Sequence, residues 1–173
     1  MNVLAFFKDI KLFVLDVDGV LTDGSLILLE NGEMARKMNI KDGYALQLAI
    51  KKGYDILIIS GGSSEAVKMR LNRLGIKDIH LAVTNKSELL QEYVKGKNLS
   101  WSSVLYMGDD IPDVLPMELA GLACCPIDAV AEVRSIAKYI SPLAGGFGCV
   151  RDVIEKVLKL NGDWNDHLEI ASV

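Results

Sequence analysis

The sequence predicts an α/β protein, a mostly parallel, Rossmann-like sheet with helices on both faces and a small β-hairpin flap. Three observations carry that prediction. Short apolar runs alternate with segments of helical spacing through most of the chain. Between the first strand and its helix, two apolar runs flank Glu30-Asn31-Gly32, and Asn-Gly in that setting is a strong hairpin signal. The first apolar run, Leu12 to Leu15, feeds directly into Asp16-Val17-Asp18-Gly19, at the strand end where open α/β sheets place their chemistry.

Each element has its own local signal. Residues 12–17 are an apolar run of strand length. Residues 42–52 show helical spacing through Tyr44, Leu46, Leu48 and Ala49, with Gly53 placed to end the helix. A second strand, 55–60, runs into Gly61-Gly62; Ser63 or Ser64 then caps a helix to Leu74, closed by Gly75. A third strand covers 79–83, and Asn85 or Ser87 opens a helix to about Lys97. Residues 104–107 are the fourth strand, 112–120 a short helix and 122–125 the fifth strand. Helices at 129–137 and 148–160 follow, separated by Tyr139-Ile140. The hairpin lies within 25–39, beside the aspartate loop.

A chain of 173 residues fits one domain, residues 1–173, with a sizeable core. Half of it is hydrophobic and 24% is charged, an ordinary globular composition. The net charge of −4 comes with no Lys/Arg cluster, which argues against a nucleic-acid partner. An anionic substrate would need local positive charge, from a metal or a few placed lysines. No apolar stretch reaches the roughly 18 residues needed to cross a bilayer, so no membrane association is expected. Met1 to Lys11 carries neither a basic leader nor a cleavage-like site, which argues against a signal peptide. Three cysteines, Cys124, Cys125 and Cys149, form neither a disulfide framework nor a zinc spacing and read as small buried hydrophobes in a reducing cytoplasm. The tail from about residue 162 has no clear period and is expected to be mobile or to reach a neighbouring subunit.

Parallel topology gathers four strand ends at one edge of the sheet. They bring Asp16 and Asp18, then Ser60 with Gly61 and Gly62, then Lys86, and finally Gly108-Asp109-Asp110-Ile111-Pro112-Asp113. Two carboxylates about 4 Å apart repel by roughly 4 kcal/mol at an effective dielectric near 20; a hard divalent cation with oxygen ligands would offset that. In such a set Asp16 can attack a phosphoryl group as a carboxylate nucleophile. A cation held by Asp16 and Asp109 would neutralise the charge that otherwise repels it. Ser60, the amide of Gly61 and Lys86 would bind the remaining phosphoryl oxygens. Asp18 is placed to protonate a leaving alkoxide and then to deprotonate water. Each residue alone has a plainer reading: a turn at 16–19, a loop hydroxyl, a solvated lysine, or a cap for the short helix from Asp109, Asp110 or Asp113. Together, in this order, they point to phosphoryl transfer through an aspartyl-phosphate.

That order resembles the haloacid dehalogenase superfamily. Asp16-Val17-Asp18-Gly19-Val20-Leu21-Thr22 is similar to its first motif, Ser60 to its second, Lys86 to its third and Gly108 to Asp113 to its fourth. The resemblance implies Asp16 as nucleophile, Asp18 as general acid/base, and magnesium on Asp16, Asp109 and the backbone carbonyl of Asp18. It makes Asp110 and Asp113 supporting acids. Because 25–39 is only a hairpin and regular elements fill 55–107, the chain resembles the capless branch, whose tetramers cover each site with neighbouring subunits.

Within that branch, Thr22-Asp23-Gly24, Asn39-Ile40-Lys41-Asp42-Gly43-Tyr44, and Ala144-Gly145-Gly146 ahead of Gly148 and Val150-Arg151 resemble the 3-deoxy-D-manno-octulosonate 8-phosphate phosphatases. That pattern implies Asn39, Lys41, Asp42, Gly43, Arg70 and Lys86 as substrate or phosphate contacts. Lys41 and Arg70 also suit a sugar-acid carboxylate as cationic partners. Two positions depart from the pattern: Gly62 and Phe147 stand where the family often has Arg. Relatives that act on nonulosonate 9-phosphates tend to carry an acidic residue at the Gly62 position, so glycine there favours the eight-carbon sugar. The expectation is a cytoplasmic, homotetrameric, magnesium-dependent phosphatase of a small anionic sugar phosphate. A nonulosonate 9-phosphate phosphatase, a phosphotransferase and a non-catalytic oligomerisation module are the alternatives. Retention of Asp16, Asp18, Ser60, Lys86 and Asp109 argues against the module, and the lack of a cap to exclude water argues against transfer. His80 and His167 lie outside the motifs, His80 reading as structural, and Trp101 reads as loop packing.

Overall fold

The computed structural model describes residues 3–164; His167 and the tail at 165–173 lie outside the described residues. A short helix α1 (Leu4–Phe7) precedes β1 (Leu12–Leu15), and the hairpin β2 (Ile27–Leu28) and β3 (Met34–Ala35) follows before α2 (Ile40–Lys51). The chain continues through β4 (Asp55–Ile59), α3 (Glu65–Arg73), β5 (Asp78–His80) and α4 (Lys86–Gly96) to β6 (Val104–Met107). It then passes through α5 (Val114–Leu119), β7 (Leu122–Cys125), α6 (Ala131–Ile136) and β8 (Tyr139–Ile140) to α7 (Cys149–Leu160). Six strands form one parallel sheet in the order β5-β4-β1-β6-β7-β8, and β2 pairs antiparallel with β3.

The strand period of two explains why the sheet has a core on each face. In β1, Phe13 and Leu15 face one way and pack with Phe7 of α1, Leu46 of α2, Leu71 of α3 and Val153 of α7. Leu12 and Val14 face the other way, toward Leu90 and Val94 of α4, Met117 of α5 and Val133 of α6. All four residues of β1 are fully buried because the strand is central, paired to β4 and β6 with Leu12 opposite both Asp55 and Val104. In α7 the apolar residues Val150, Val153, Ile154, Val157 and Leu158 recur at helical spacing and bury one stripe against the sheet. The three cysteines are buried and free, as small apolar residues would be, and burial pushes the Cys125 thiol up to about 11.

The departures from the sequence reading are local. Tyr139 and Ile140 are not merely a link between helices; they form the edge strand β8, and the adjacent Lys138 and Ser141 donate their backbone amides to Ala123 and Cys125. Two residues carry no readable period. The expected helix at 112–120 begins instead as a single tight turn, Ile111–Asp113, before α5. The third strand ends at His80, and the chain beyond it turns back so that Ala82 and Val83 donate backbone bonds to Gly62 and Ser60. His80, exposed at that strand end, uses its carbonyl to accept the Ser60 amide, and the carbonyl of Trp101 accepts the Gly121 amide.

The sheet order reverses between β1 and β6, so the crevice beyond their C-terminal ends is the topological switch point. The insertion between β1 and α2 contains the hairpin, and α3, β5 and α4 fill β4 to β6; among the described residues there is no cap domain.

Candidate active site

Asp16 leaves β1 in extended conformation (φ −74°, ψ 166°), its amide still bonded to the Met107 carbonyl of β6. The chain then kinks through Asp18 and Gly19, where Gly19 adopts φ +84°. Glycine is required there twice over: by that left-handed backbone and because a Cβ would lie 1.9 Å from Asp109 Oδ2. Thr22, fully buried, staples the loop by accepting the Gly19 and Gly24 amides on Oγ1, each at 3.3 Å. From the opposite side Gly146 donates its amide to Val20, and Gly145 packs so closely on Gly19 that a Cβ would overlap its carbonyl.

A cavity of about 590 Å³ opens over these strand ends, and Asp16, Asp18, Ser60, Gly61, Lys86 and Asp109 all line it. The structure therefore brings together the residues that the sequence reading placed at the four strand ends. Asp16 Oδ1 accepts the Val17 amide at 2.7 Å, and Lys86 Nζ bridges Asp16 Oδ2 at 2.9 Å and Asp113 Oδ1 at 2.8 Å. Asn85 caps α4 by accepting the Glu88 amide, so Lys86 enters the site on the first residue of a fixed helix. Ser60 is buried and holds the Gly62 amide on its Oγ at 3.2 Å.

Asp113 and Asp110 divide the supporting task. Asp113 is fully buried; Lys86 and Tyr106 donate to its Oδ1 and the amides of Asp109 and Asp110 to its Oδ2. Gly108 makes room for it, since a Cβ there would lie 2.3 Å from that of Asp113. The Asp110 side chain accepts the Ile111 amide and forms a capping box with Asp113, so the helix-cap reading holds for Asp110. Asp109 Oδ1 is buried without a hydrogen-bond partner.

The electrostatics follow from the composition of this pocket. Oxygens of Asp16, Asp109 and Asp113 lie within 4.8 Å of one another, and one ammonium faces three carboxylates. Burial, then Asp113, pushes the Asp16 carboxyl up to about 7; burial, then Asp16 and Asp113, pushes Asp109 up to about 8. Desolvation would lower the Lys86 pKa, but the carboxylates of Asp16 and Asp113 outweigh it and raise it. The expected repulsion thus falls among Asp16, Asp109 and Asp113 rather than between Asp16 and Asp18, because Asp18 has its own cation. Arg36 Nε reaches Asp18 Oδ1 at 2.6 Å from the residue after β3. An unsatisfied buried carboxylate oxygen and uncompensated negative charge fit a hard divalent cation. Asp109 Oδ1 has no partner and each Asp16 oxygen has one, whereas each Asp113 oxygen accepts two donors, so Asp16 and Asp109 are the side chains with capacity left to hold it.

The remaining predicted contacts lie elsewhere. Asn39, Lys41, Asp42, Gly43 and Arg70 do not line the Asp16 cavity. Asn39 caps α2 through the Lys41 amide and donates Nδ2 to the Gly146 carbonyl, tying the helix to the glycine loop. Asp42 is buried and accepts the Arg151 amide at 2.7 Å, completing the start of α7 from α2. Burial pushes its carboxyl up to about 6. Through the Arg151 amide its Oδ1 joins two helices, while its Oδ2 is buried without a hydrogen-bond partner. Gly43 lies beneath Arg70, with room for no Cβ short of 2.9 Å from Arg70 Nη2. Lys41 borders a separate cavity with Phe147 and Arg151. The sequence reading missed Arg36 and Tyr106: the first follows a two-residue strand, and the second sits inside an apolar run that reads as core.

No family model matches the chain. It is 34% identical over 161 residues to the 3-deoxy-D-manno-octulosonate 8-phosphate phosphatase KdsC of Escherichia coli K12, covering 93% of this chain and 86% of that protein. A crystal structure of the 3-deoxy-D-manno-octulosonate 8-phosphate phosphatase from Moraxella catarrhalis, in complex with magnesium, phosphate and KDO, superposes with a TM-score of 0.89 at 34% identity. The match covers 92% of this chain and 91% of that one. A cobalt-bound deoxy-D-mannose-octulosonate 8-phosphate phosphatase from Haemophilus influenzae matches at TM-score 0.86 and 27% identity, over 91% and 92% of the two chains.

Proposed function

The chain belongs to the 3-deoxy-D-manno-octulosonate 8-phosphate phosphatase family of the haloacid dehalogenase superfamily, and from that premise we propose that it hydrolyses 3-deoxy-D-manno-octulosonate 8-phosphate to the free sugar acid and phosphate. The observation that carries this reading is the bridge of Lys86 between Asp16 and Asp113 beside the unpartnered oxygen of Asp109, all on one cavity.

The Val17 amide and Lys86 fix the Asp16 carboxylate in one orientation, which removes much of the orientational part of the barrier. Asp16 attacks phosphorus, the phosphorus–oxygen bond to the sugar breaks, and Asp18 gives its proton to the departing oxygen. Asp18 then takes a proton from the water that attacks the aspartyl-phosphate, which frees phosphate and restores Asp16. Ser60, the Gly61 amide and Lys86 hold the other phosphoryl oxygens. Magnesium held by Asp16, Asp109 and the backbone carbonyl of Asp18 supplies the positive charge that lets a carboxylate approach a phosphate ester.

The enzyme acts as a single domain in a cytoplasmic homotetramer. Support comes from the hairpin, which leaves Ile27 and Leu28 59% and 74% exposed beside an open site. Lys41 and Arg70 do not line their own subunit's cavity, so the substrate contacts that the family pattern assigns to them would be made across a subunit boundary. No helix among the described residues is long and apolar enough to cross a membrane. A side-by-side assay of octulosonate 8-phosphate and nonulosonate 9-phosphate, with native mass spectrometry of the same preparation, tests the reading. The expected kcat/KM favours the octulosonate by about tenfold or more, with a mass of four chains. A preference for the nine-carbon ester, or a monomer with full activity, contradicts it.

A further inference from the structure

Arg36 belongs to no motif, and most of the hairpin it leaves is exposed. Its side chain is nevertheless 7% exposed, packed against Asp18, Gly62 and Val67 beside the cavity rather than lining it. Nε donates to Asp18 Oδ1 at 2.6 Å and Nη2 to Oδ2 at 3.3 Å, while Nη1 donates to the Met34 carbonyl at 3.4 Å. A two-pronged guanidinium contact fixes the rotation of a carboxyl group as well as its position, which an ammonium does not. Gly62 provides the space: a Cβ there would stand 2.9 Å from Asp18 Oδ2 and 3.5 Å from Arg36 Nη2. Asp18 otherwise rests on the kink before Gly19, with its side chain 37% exposed to the cavity.

We propose that Arg36 is a positioning residue for Asp18: the guanidinium carried by the hairpin, with Gly62 beneath it, aims that carboxyl group at the departing oxygen of the phosphate ester. The step it serves is the first one, in which the bond from Asp16 to phosphorus forms, the bond from phosphorus to the sugar oxygen breaks, and the proton of Asp18 passes to that oxygen. The inference rests on the proton-donor role given to Asp18 above. It makes the docking of the hairpin on the Asp18 loop part of the chemistry, because the contact joins residues 18 positions apart across the insertion.

The test is the dependence of kcat/KM on the leaving group, since this constant reports the steps through its departure. Magnesium-dependent hydrolysis is measured for p-nitrophenyl phosphate, phenyl phosphate and the octulosonate ester in the unmodified enzyme, R36A, R36K and G62A. A p-nitrophenolate leaves without a proton, phenolate gains from one, and an alkoxide requires it. R36A should lose about 10–100-fold on the sugar ester, less on phenyl phosphate and under about threefold on p-nitrophenyl phosphate. R36K should recover part of the loss, and G62A, which displaces Asp18 while keeping Arg36, should show the same gradient. Equal losses on all three esters would mean that Arg36 only supports the hairpin. A loss confined to the sugar ester, with the two aryl esters falling equally little, would make it a sugar contact. Either outcome overturns the proposal. Should R36A not fold, G62A carries the same test. If the unmodified enzyme releases no phosphate from any ester, the phosphatase reading fails together with this one; a flat gradient overturns the Arg36 role alone.

Discussion

Replacing Asp16 by asparagine should lower kcat for phosphate release by about 10⁴-fold or more while leaving the fold intact. The amide has nearly the shape of the carboxylate but is not a nucleophile toward phosphorus. Lys86 keeps its contact with Asp113, so the buried lysine is not stranded. The substitution also removes a carboxylate that burial first, and then the charge of Asp113, holds at about 7. Thermal unfolding without metal should therefore change little or shift upward, whereas loss of a core residue would shift it sharply down. Phosphate release and a melting curve on the same sample check both halves. Turnover within tenfold of the unmodified enzyme would place the nucleophile elsewhere, with water as the first candidate.

Lys86→Met should have the largest effect on stability and a large effect on rate. Removing one partner of a buried ion pair leaves uncompensated charge, which typically costs about 3–5 kcal/mol. Here the lysine serves Asp16 and Asp113 together, and both are almost wholly buried. The deficit has a predictable pH dependence. The folded-state value of Asp16, about 7, lies above its ordinary 3.8, so its ionised form costs stability as pH rises between those values. Without Lys86 that cost grows, because the lysine's charge and hydrogen bond both lower the Asp16 value. Denaturant unfolding with metal chelated should show a smaller K86M deficit near pH 5 than near pH 8. Phosphate release should fall by about 10²–10³-fold, as for loss of a preorganised donor to an oxyanion. No deficit, or one independent of pH, would contradict the role of the ammonium charge, since methionine keeps most of the apolar stem.

Much of this site is legible in the sequence because parallel topology does the assembling. Once residues 12–17, 55–60 and 104–107 read as strands in one sheet, Asp16, Ser60 and Asp109 share an edge wherever they stand in the chain. Asn31-Gly32 likewise announces the hairpin without help from the rest of the fold. What escapes the sequence is contact set by packing between elements. Arg36 meets Asp18 only because the hairpin folds back over the loop, and no spacing along the chain encodes that approach. Tyr106 reads as one more apolar residue of β6, yet burial and Asp113 together push its hydroxyl well above the ordinary tyrosine pKa. Asp42 is a further case. Its position in a family pattern suggests a substrate contact, and what the sequence does not announce is that one of its carboxylate oxygens accepts the Arg151 amide at the start of α7. Strand β8 is too short for any period to show, and only its ladder with β7 reveals it.

The most direct test of the whole account is the rate of phosphate release from 3-deoxy-D-manno-octulosonate 8-phosphate with magnesium present, then chelated, then restored. The buried, unpartnered oxygen of Asp109 and the excess of carboxylates around Lys86 predict release that stops on chelation and returns with the metal. Release that continues unchanged after chelation, or no release from this ester with magnesium present, would contradict it.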